Sequence, residues 1–319
     1  MTAYLVRRVG QAIVVLILVT FIVFALMRLL PGDPILVYVS QDEWSRITSH
    51  EEIDALRHEY GTDRPIIVQY VDWLWGVVRG DLGESIFLGT EVKEEIGRAL
   101  PKTLYVSSIA WIVAHLFGLP AGIICAVRRG KWQDTVLTLL ANIGITAPIF
   151  WVGILLIYGV GLKLGWLPIQ GYTSPFDDFW LSTKQLVMPV FCMALPHMAG
   201  STRQTRSAML EVIGQDYVRT AWSKGLDERT IIVRHIIRNG IIPVVTLSAM
   251  TIPGLFGGSV FIENVFNIPG IGRLATEALF SQDYAIVQGI VLMIAIIIVL
   301  SNLLVDISYG WIDPRIRIT

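Results

Sequence analysis

The residues best spaced to do chemistry lie between positions 211 and 240 of this 319-residue chain. The run reads Asp216-Tyr-Val-Arg219-Thr220-Ala221-Trp-Ser-Lys224-Gly225-Leu226, followed by Asp227, Arg229, Arg234 and Arg238. It predicts two short amphipathic helices separated at Gly225, because a glycine tolerates the left-handed conformation that ends a helix. Asp216 is the expected N-cap of the first helix, with Tyr217, Ala221 and Leu226 on one side. Asp227 is the expected cap of the second, whose stripe Ile231, Ile232, Val233, Ile236 and Ile237 faces away from its arginines. An ordered basic stretch of this kind can dock a protein socket, or lie on anionic headgroups. The first helix is too small and polar to anchor on lipid.

No other cluster offers a reaction. His50, His58, His115, His197 and His235 are scattered without a second ligand at metal-site spacing, so neither metal nor catalytic residues are expected. His115 and His197 fall in apolar segments and read as packing histidines or as marks of a polar pathway. Cys125 and Cys192 also fall in apolar segments and predict no disulfide framework. A phosphate-binding loop is absent, since Gly130-Lys131 continues into Trp132.

The elements that must position the basic stretch are membrane helices. Hydrophobic residues make up 54% and charged residues 16% of the chain, with mean hydropathy +0.61. That balance is far from the roughly 25% charged residues of soluble domains. Six apolar segments are expected to cross a bilayer: residues 9–27, 103–127, 135–162, 185–202, 239–262 and 284–305. The fourth is short and holds Pro189 and Pro196. The first is too long for a signal-peptide core and reads as an uncleaved helix.

With six crossings, Arg7 and Arg8, then Arg128, Arg129 and Lys131, then Arg203 to Arg238, then Arg315 and Arg317 all fall on one side. That side is cytoplasmic by the excess of basic residues, and both termini lie there. The expected fold is an all-α membrane protein of six transmembrane helices, with a folded extracytoplasmic insertion after the first. The expected divisions are an N-terminal helix at 1–30, the outer module at 31–100 and a five-helix core at 101–319 that carries the loop 206–240. The outer module holds fourteen acidic and six basic residues and predicts helices near 51–60 and 66–78. No Asp, Glu, Lys or Arg sits near the middle of a span, which argues against an ion-coupled carrier. Glu263, at the outer end of the fifth, is the nearest exception.

The fifth span is rich in small residues. Gly254-x-x-x-Gly258, like Gly118-x-x-x-Gly122, lets helices approach closely. The face serves plain packing, or it lines a route on which small side chains avoid holding a solute too tightly.

The run Asp216 to Leu226, with Arg234-His-x-x-Arg-Asn239 and Ile242-Pro243, resembles the cytoplasmic loop of ABC importer permeases of the dipeptide, oligopeptide and nickel class. Arg219-Thr220-Ala221 stands for the Glu-Ala-Ala of the general loop signature and Gly225 for its glycine. Leu30-Pro-Gly-Asp-Pro34, Gly80-Asp-Leu-Gly-Glu-Ser85, Glu263-x-Val-Phe-x-x-Pro269-Gly-Ile-Gly272 and Asp313-Pro-Arg-Ile-Arg317 agree with the resemblance, which covers essentially the whole chain.

The resemblance implies a non-enzymatic permease in the inner membrane that forms half of a translocation pathway. Its implied partners are a second homologous permease, two ABC ATPase subunits, an extracytoplasmic binding protein and a peptide-class substrate, with no nucleic acid. It implies no cofactor on this chain; ATP and Mg belong to the ATPases. Asp216, Tyr217, Arg219, Thr220, Ala221, Lys224 and Gly225 would make the coupling contact. Thr246, Met250, Gly254 and Gly258 would line the pathway. The rival from another class is a free-standing channel or membrane enzyme with a lipid-docked basic loop.

Overall fold

The computed structural model describes residues 2–29, 35–36, 50–59 and 61–312. Leu30 to Pro34, the segment 37–49, and Asp313 to Arg317 therefore lie outside the described residues. Among the described residues the chain is helical, without a named strand. The helices are α1 Thr2–Leu29, α2 His50–Glu59, α3 Ile66–Val78, α4 Val92–Val127, α5 Trp132–Thr146, α6 Ile149–Leu156, α7 Phe179–Ile213, α8 Asp216–Ser223, α9 Glu228–Thr230, α10 Arg238–Ala249, α11 Ile252–Val265, α12 Ile271–Phe280 and α13 Tyr284–Ile312. Wider π-type turns continue α6 through Ile157–Lys163 and join α9 to α10 through Ile231–Ile237.

Among the described residues three helices are long and apolar enough to cross a bilayer: Arg7–Leu29, Val92–Val127 and Tyr284–Leu303. A fourth crossing arises if α5 and the run Ile149–Lys163 count together. The segment expected as one crossing at 135–162 is thus not a straight helix. It bends by 102°, because Pro148 forces Ala147 out of the helical region to an extended conformation (φ −71°, ψ 125°). The segment expected at 239–262 is likewise two helices. Met250 and Thr251 form the turn, and a proline opens α11 where its missing N–H costs nothing. The expected span 185–202 is the centre of the 35-residue α7, which keeps both its prolines inside the helix.

The chain divides into two compact units. The first comprises residues 1–102 and 270–303. The expected outer helices are present as α2 and α3. Tyr70 of α3 packs its ring edge-on against Phe21 and Phe24 of α1, at 5.2 and 5.4 Å. Its hydroxyl meets Thr20 at 3.1 Å. Residues 31–100 share a core with the last helices: Val92, Ile96 and Ala99 of α4 pack with Ile271, Ala278, Ile286 and Ile290. Gly289 allows that approach, since a Cβ there would lie 2.5 Å from Val92 Cγ1. The Ser85 hydroxyl donates to the buried Asp283 carboxylate.

The second unit comprises residues 103–269 and 304–319. Its main core joins Val106, Ala110 and Ala114 of α4 to Leu186, Met188 and Cys192 of α7 and to Ile262, Phe266 and Ile268. Cys125 and Cys192 are free and buried, in line with the expectation of no disulfide between them. His115 is a satisfied packing histidine: its Nδ1 lies 2.8 Å from the Trp111 carbonyl. Glu263 is 1% exposed. It accepts a 2.6 Å hydrogen bond from the Thr103 hydroxyl, so it ties α11 to α4 rather than meeting water.

The small residues expected to bring helices together do so between α4 and α7. A Cβ at Gly118 would lie 2.8 Å from the Met198 carbonyl oxygen, and one at Gly122 would lie 2.5 Å from Thr205 Cβ. Backbone lies on the far side at both positions, so nothing flexible can yield. Gly122→Val is therefore expected to cost about 1–3 kcal/mol or more through overpacking. Gly97→Ala on the same helix, which meets nothing within 4 Å, should leave stability nearly unchanged. Thermal unfolding of the two variants in detergent checks the contrast.

Candidate functional site

The polar stretch begins where α7 ends. Gly214 closes α7, and Gln215, in an extended conformation (φ −75°, ψ 147°), occupies the N-cap position of α8. No side chain caps α8 there. Asp216 is thus the first helical residue rather than the expected cap. A carboxylate in the first turn still favours the helix through its dipole.

Spacing decides the rest of α8. Val218 and Ala221, three residues apart, face the same way and are 1% and 4% exposed. They join Ala126 at the end of α4, Met209 of α7, and Ile231 and Ile236 of the π-turned segment in one apolar cluster. The other face turns outward. Asp216, Tyr217, Arg219, Thr220, Trp222, Lys224 and Gly225 are exposed. Arg219 and Asp216 lie 3.5 Å apart with side chains 74% and 96% exposed, an ion pair of little worth in water.

The turn after α8 is built on Gly225. Its φ of +74° lies in the left-handed region. The Leu226 N–H reaches back to the Ala221 carbonyl at 3.4 Å, and the Gly225 N–H to the Trp222 carbonyl at 3.0 Å. These two bonds satisfy carbonyls that the helix end would leave bare. Asp227 then caps the next helix, as its sequence position implies, accepting from the Thr230 N–H at 3.0 Å. Hydrogen bonding by Thr230 holds the Asp227 carboxyl below the usual carboxylate range.

Two further bonds fix the site. The Asn239 amide donates to the Tyr217 hydroxyl at 3.1 Å, tying the start of α8 to α10. A cavity of about 570 Å³ lies there, between Ala208, Glu211, Gln215, Tyr217, Asn239 and Pro243. Behind it, the Arg206 guanidinium grips Asp134 through Nε–Oδ1 at 2.8 Å and Nη2–Oδ2 at 2.9 Å. That pairing raises the Arg206 pKa above its usual value and pins α7 to the start of α5.

Six of the seven residues expected to make the docking contact, Asp216, Tyr217, Arg219, Thr220, Lys224 and Gly225, share one exposed surface. Ala221 does not; it is buried and seats the helix. Trp222 was not among them, yet it is 50% exposed, at the border between that surface and the apolar cluster, where it lines a pocket with Ile232 and Ile236. A large apolar side chain held in water on an otherwise polar helix was the signal for it.

The residues expected along a pathway are less gathered. Met250 is 53% exposed at the turn between α10 and α11. At Gly254 a Cβ would lie 3.6 Å from His197 Cε1, so the α11 backbone passes close to that ring. The side chain of Thr246 and the surroundings of Gly258 lie outside the described residues.

Comparison with known proteins defines the class to which the chain belongs. Residues 118–318 match the family described as binding-protein-dependent transport system inner membrane component. Residues 1–107 match the N-terminal family of the same membrane components. The chain belongs to this family and is a multi-pass membrane protein.

It is 39% identical over 320 residues to a putative peptide transport system permease protein of Brucella abortus, covering 99% of both chains. It is 36% identical to the oligopeptide transport system permease protein AppB of Bacillus subtilis, covering 99% of this chain and 100% of that one. Among solved structures it resembles the inward-facing MetNI methionine ABC transporter, with a TM-score of 0.52 at 16% identity, over 69% of this chain and 96% of that one. An amino acid ABC transporter gives a TM-score of 0.51 at 16% identity, over 70% and 94%. At that identity the likeness establishes the fold.

The buried seat of α8 carries a prediction. Val218→Asp places an unpaired charge in the apolar cluster and is expected to cost about 3 kcal/mol or more, in the range of other uncompensated buried charges. Arg219→Ala, on the exposed face, should shift stability by less than about 0.5 kcal/mol. Unfolding midpoints of the two purified variants check it.

Proposed function

We propose that this chain is the translocation subunit of an ATP-driven importer for peptides or related solutes, and that α8 is its coupling helix. The observation that carries this reading is the split character of α8. One face is locked into the chain's own core through Val218 and Ala221, while the other presents Asp216, Arg219, Trp222 and Lys224 to a partner. A lipid-docked loop would turn its apolar stripe outward. Instead Ile231 and Ile236 are 0% and 3% exposed inside the protein, while Val233 of the same stripe is 53% exposed, so most of the stripe packs on the chain and counts against a lipid-docked loop.

Within this reading, α1, α4, the bent pair α5–α6, α7, the pair α10–α11 and α13 make six crossings. The basic segments Arg7–Arg8, Arg128–Lys131 and Arg203–Arg238 face the cytoplasm. A P-loop ATPase subunit receives the exposed face of α8, and its ATP-driven movement is passed through the buried face to α4, α7 and α10. Residues 31–100 face the outside, where a binding protein delivers the solute. A second homologous permease completes the pathway. Thr246, Met250, Gly254 and Gly258 lie along the route. Names such as those of the Brucella and Bacillus relatives support peptides as the substrate class.

Gly225 gives the test. A Cβ there would meet nothing within 4 Å, but its φ of +74° strains any L side chain. Gly225→Leu should cost about 1 kcal/mol in the turn and re-aim Trp222. The expected result in the reconstituted complex is loss of solute uptake and of substrate-stimulated ATP hydrolysis, with membrane insertion unchanged. Trp222→Ala should weaken ATPase binding in a pull-down while leaving the unfolding midpoint in place. Unchanged coupled hydrolysis in both variants would overturn the assignment, as would solute flux through the purified chain alone.

A further inference from the structure

The first unit contains a cavity of about 360 Å³ between α1, α3, the turn before α4 and the start of α13. That is the lower end of the range for small-ligand sites and holds far more than a single water, whose share of liquid volume is about 30 Å³. Three buried donors line it with no hydrogen-bond partner among the described residues: Arg28 Nη1, Trp73 Nε1 and Gln288 Nε2. Gln288 is 5% exposed. Buried donors left without acceptors are rare, because desolvation of each is uncompensated.

The guanidinium among them is held in place. Its Cζ lies 4.8 Å from the Phe24 ring centroid and 4.5 Å from that of Tyr284. Its Nε donates to Gln69 Oε1 at 2.8 Å, which leaves Nη1 to the cavity. Stacked rings and a neutral amide fix the plane of the charge but do not neutralise it. Neither acidic residue of the wall forms an ion pair with it. Asp72 is paired with Arg64 at 3.1 Å, and Glu84 is exposed.

We propose that this cavity is a carboxylate-binding site for a small solute, with Arg28 as the charged clamp and Trp73 and Gln288 as neutral donors. A carboxylate has two oxygens and about four acceptor positions, enough to receive all three of these donors. The aromatic and aliphatic walls suit the uncharged remainder of a small solute. With the function proposed above, the ligand is the C-terminal end of a short peptide, which would be held at the outer end of α1. The peptide identification rests on that reading, and the carboxylate chemistry does not.

The test uses the full-length chain in lipid nanodiscs, with titration calorimetry. The probes are dialanine, dialanine amide, acetate and inorganic phosphate. Dialanine is expected to bind about tenfold or more tightly than its amide, because the amide loses the charge-assisted bonds to Arg28. Acetate binding as tightly as dialanine would also support the site, as one that reads the bare carboxylate. Arg28→Gln should weaken dialanine binding by about tenfold or more.

Should that variant not fold, Gln288→Glu serves instead. It places a carboxylate of the chain's own opposite Arg28, so it should abolish dialanine binding without lowering the unfolding midpoint. Equal binding of acid and amide, tighter binding of phosphate than of dialanine, no binding of any probe, or unchanged binding by Gln288→Glu would each overturn the proposal. Those outcomes are read on the isolated chain, without ATPase subunits. They are thus separable from failure of the coupling assignment, which Gly225→Leu reports.

Discussion

The candidate site depends on one apolar contact: the burial of Val218 and Ala221 against Ala126, Met209, Ile231 and Ile236. Four chain segments meet there, namely the end of α4, the end of α7, α8, and the π-turned segment after it. A short helix in water has little stability of its own, since its nucleation cost is recovered only over many residues. Eight residues of α8 therefore hold their form because they are packed. The same packing makes the exposed face a surface of fixed shape rather than a flexible loop. A force on Trp222 or Arg219 meets a close-packed body, and close-packed bodies transmit displacement instead of absorbing it.

The helices above that contact obey a second constraint. Inside a bilayer every freed backbone group needs a partner within the protein, so bends are confined to places where proline chemistry makes them cheap. Pro148 bends the α5–α6 pair, and a proline at the first turn of α11 restarts a helix after Thr251. Pro189 and Pro196, by contrast, stay inside α7.

The first unit shows the converse arrangement. Most of its buried polar groups are satisfied in pairs, such as Ser85 with Asp283 and Thr20 with Tyr70. Arg28, Trp73 and Gln288 break that pattern around one cavity. Such a departure in an otherwise satisfied structure marks a place shaped for something other than stability.

Much of this was written in the sequence. Helix type followed from apolar runs too long for soluble packing, and the short helices α2 and α3 from the patterns at 51–60 and 66–78. Gly225 and Asp227 announced the turn and the cap that follow α8, because backbone conformation and local hydrogen bonds depend on neighbours along the chain. The basic stretch and its motif identified the site. Tertiary structure alone decided which residues of that site are available. The resemblance put Ala221 on the same footing as Arg219, and spacing put it with Tyr217 and Leu226, but packing buried Ala221 and left Tyr217, Leu226 and Trp222 exposed. It also decided that Glu263 meets Thr103, 160 residues away, and that three donors from α1, α3 and α13 share one cavity. Contacts between residues distant in sequence depend on how helices pack, and no local pattern specifies that.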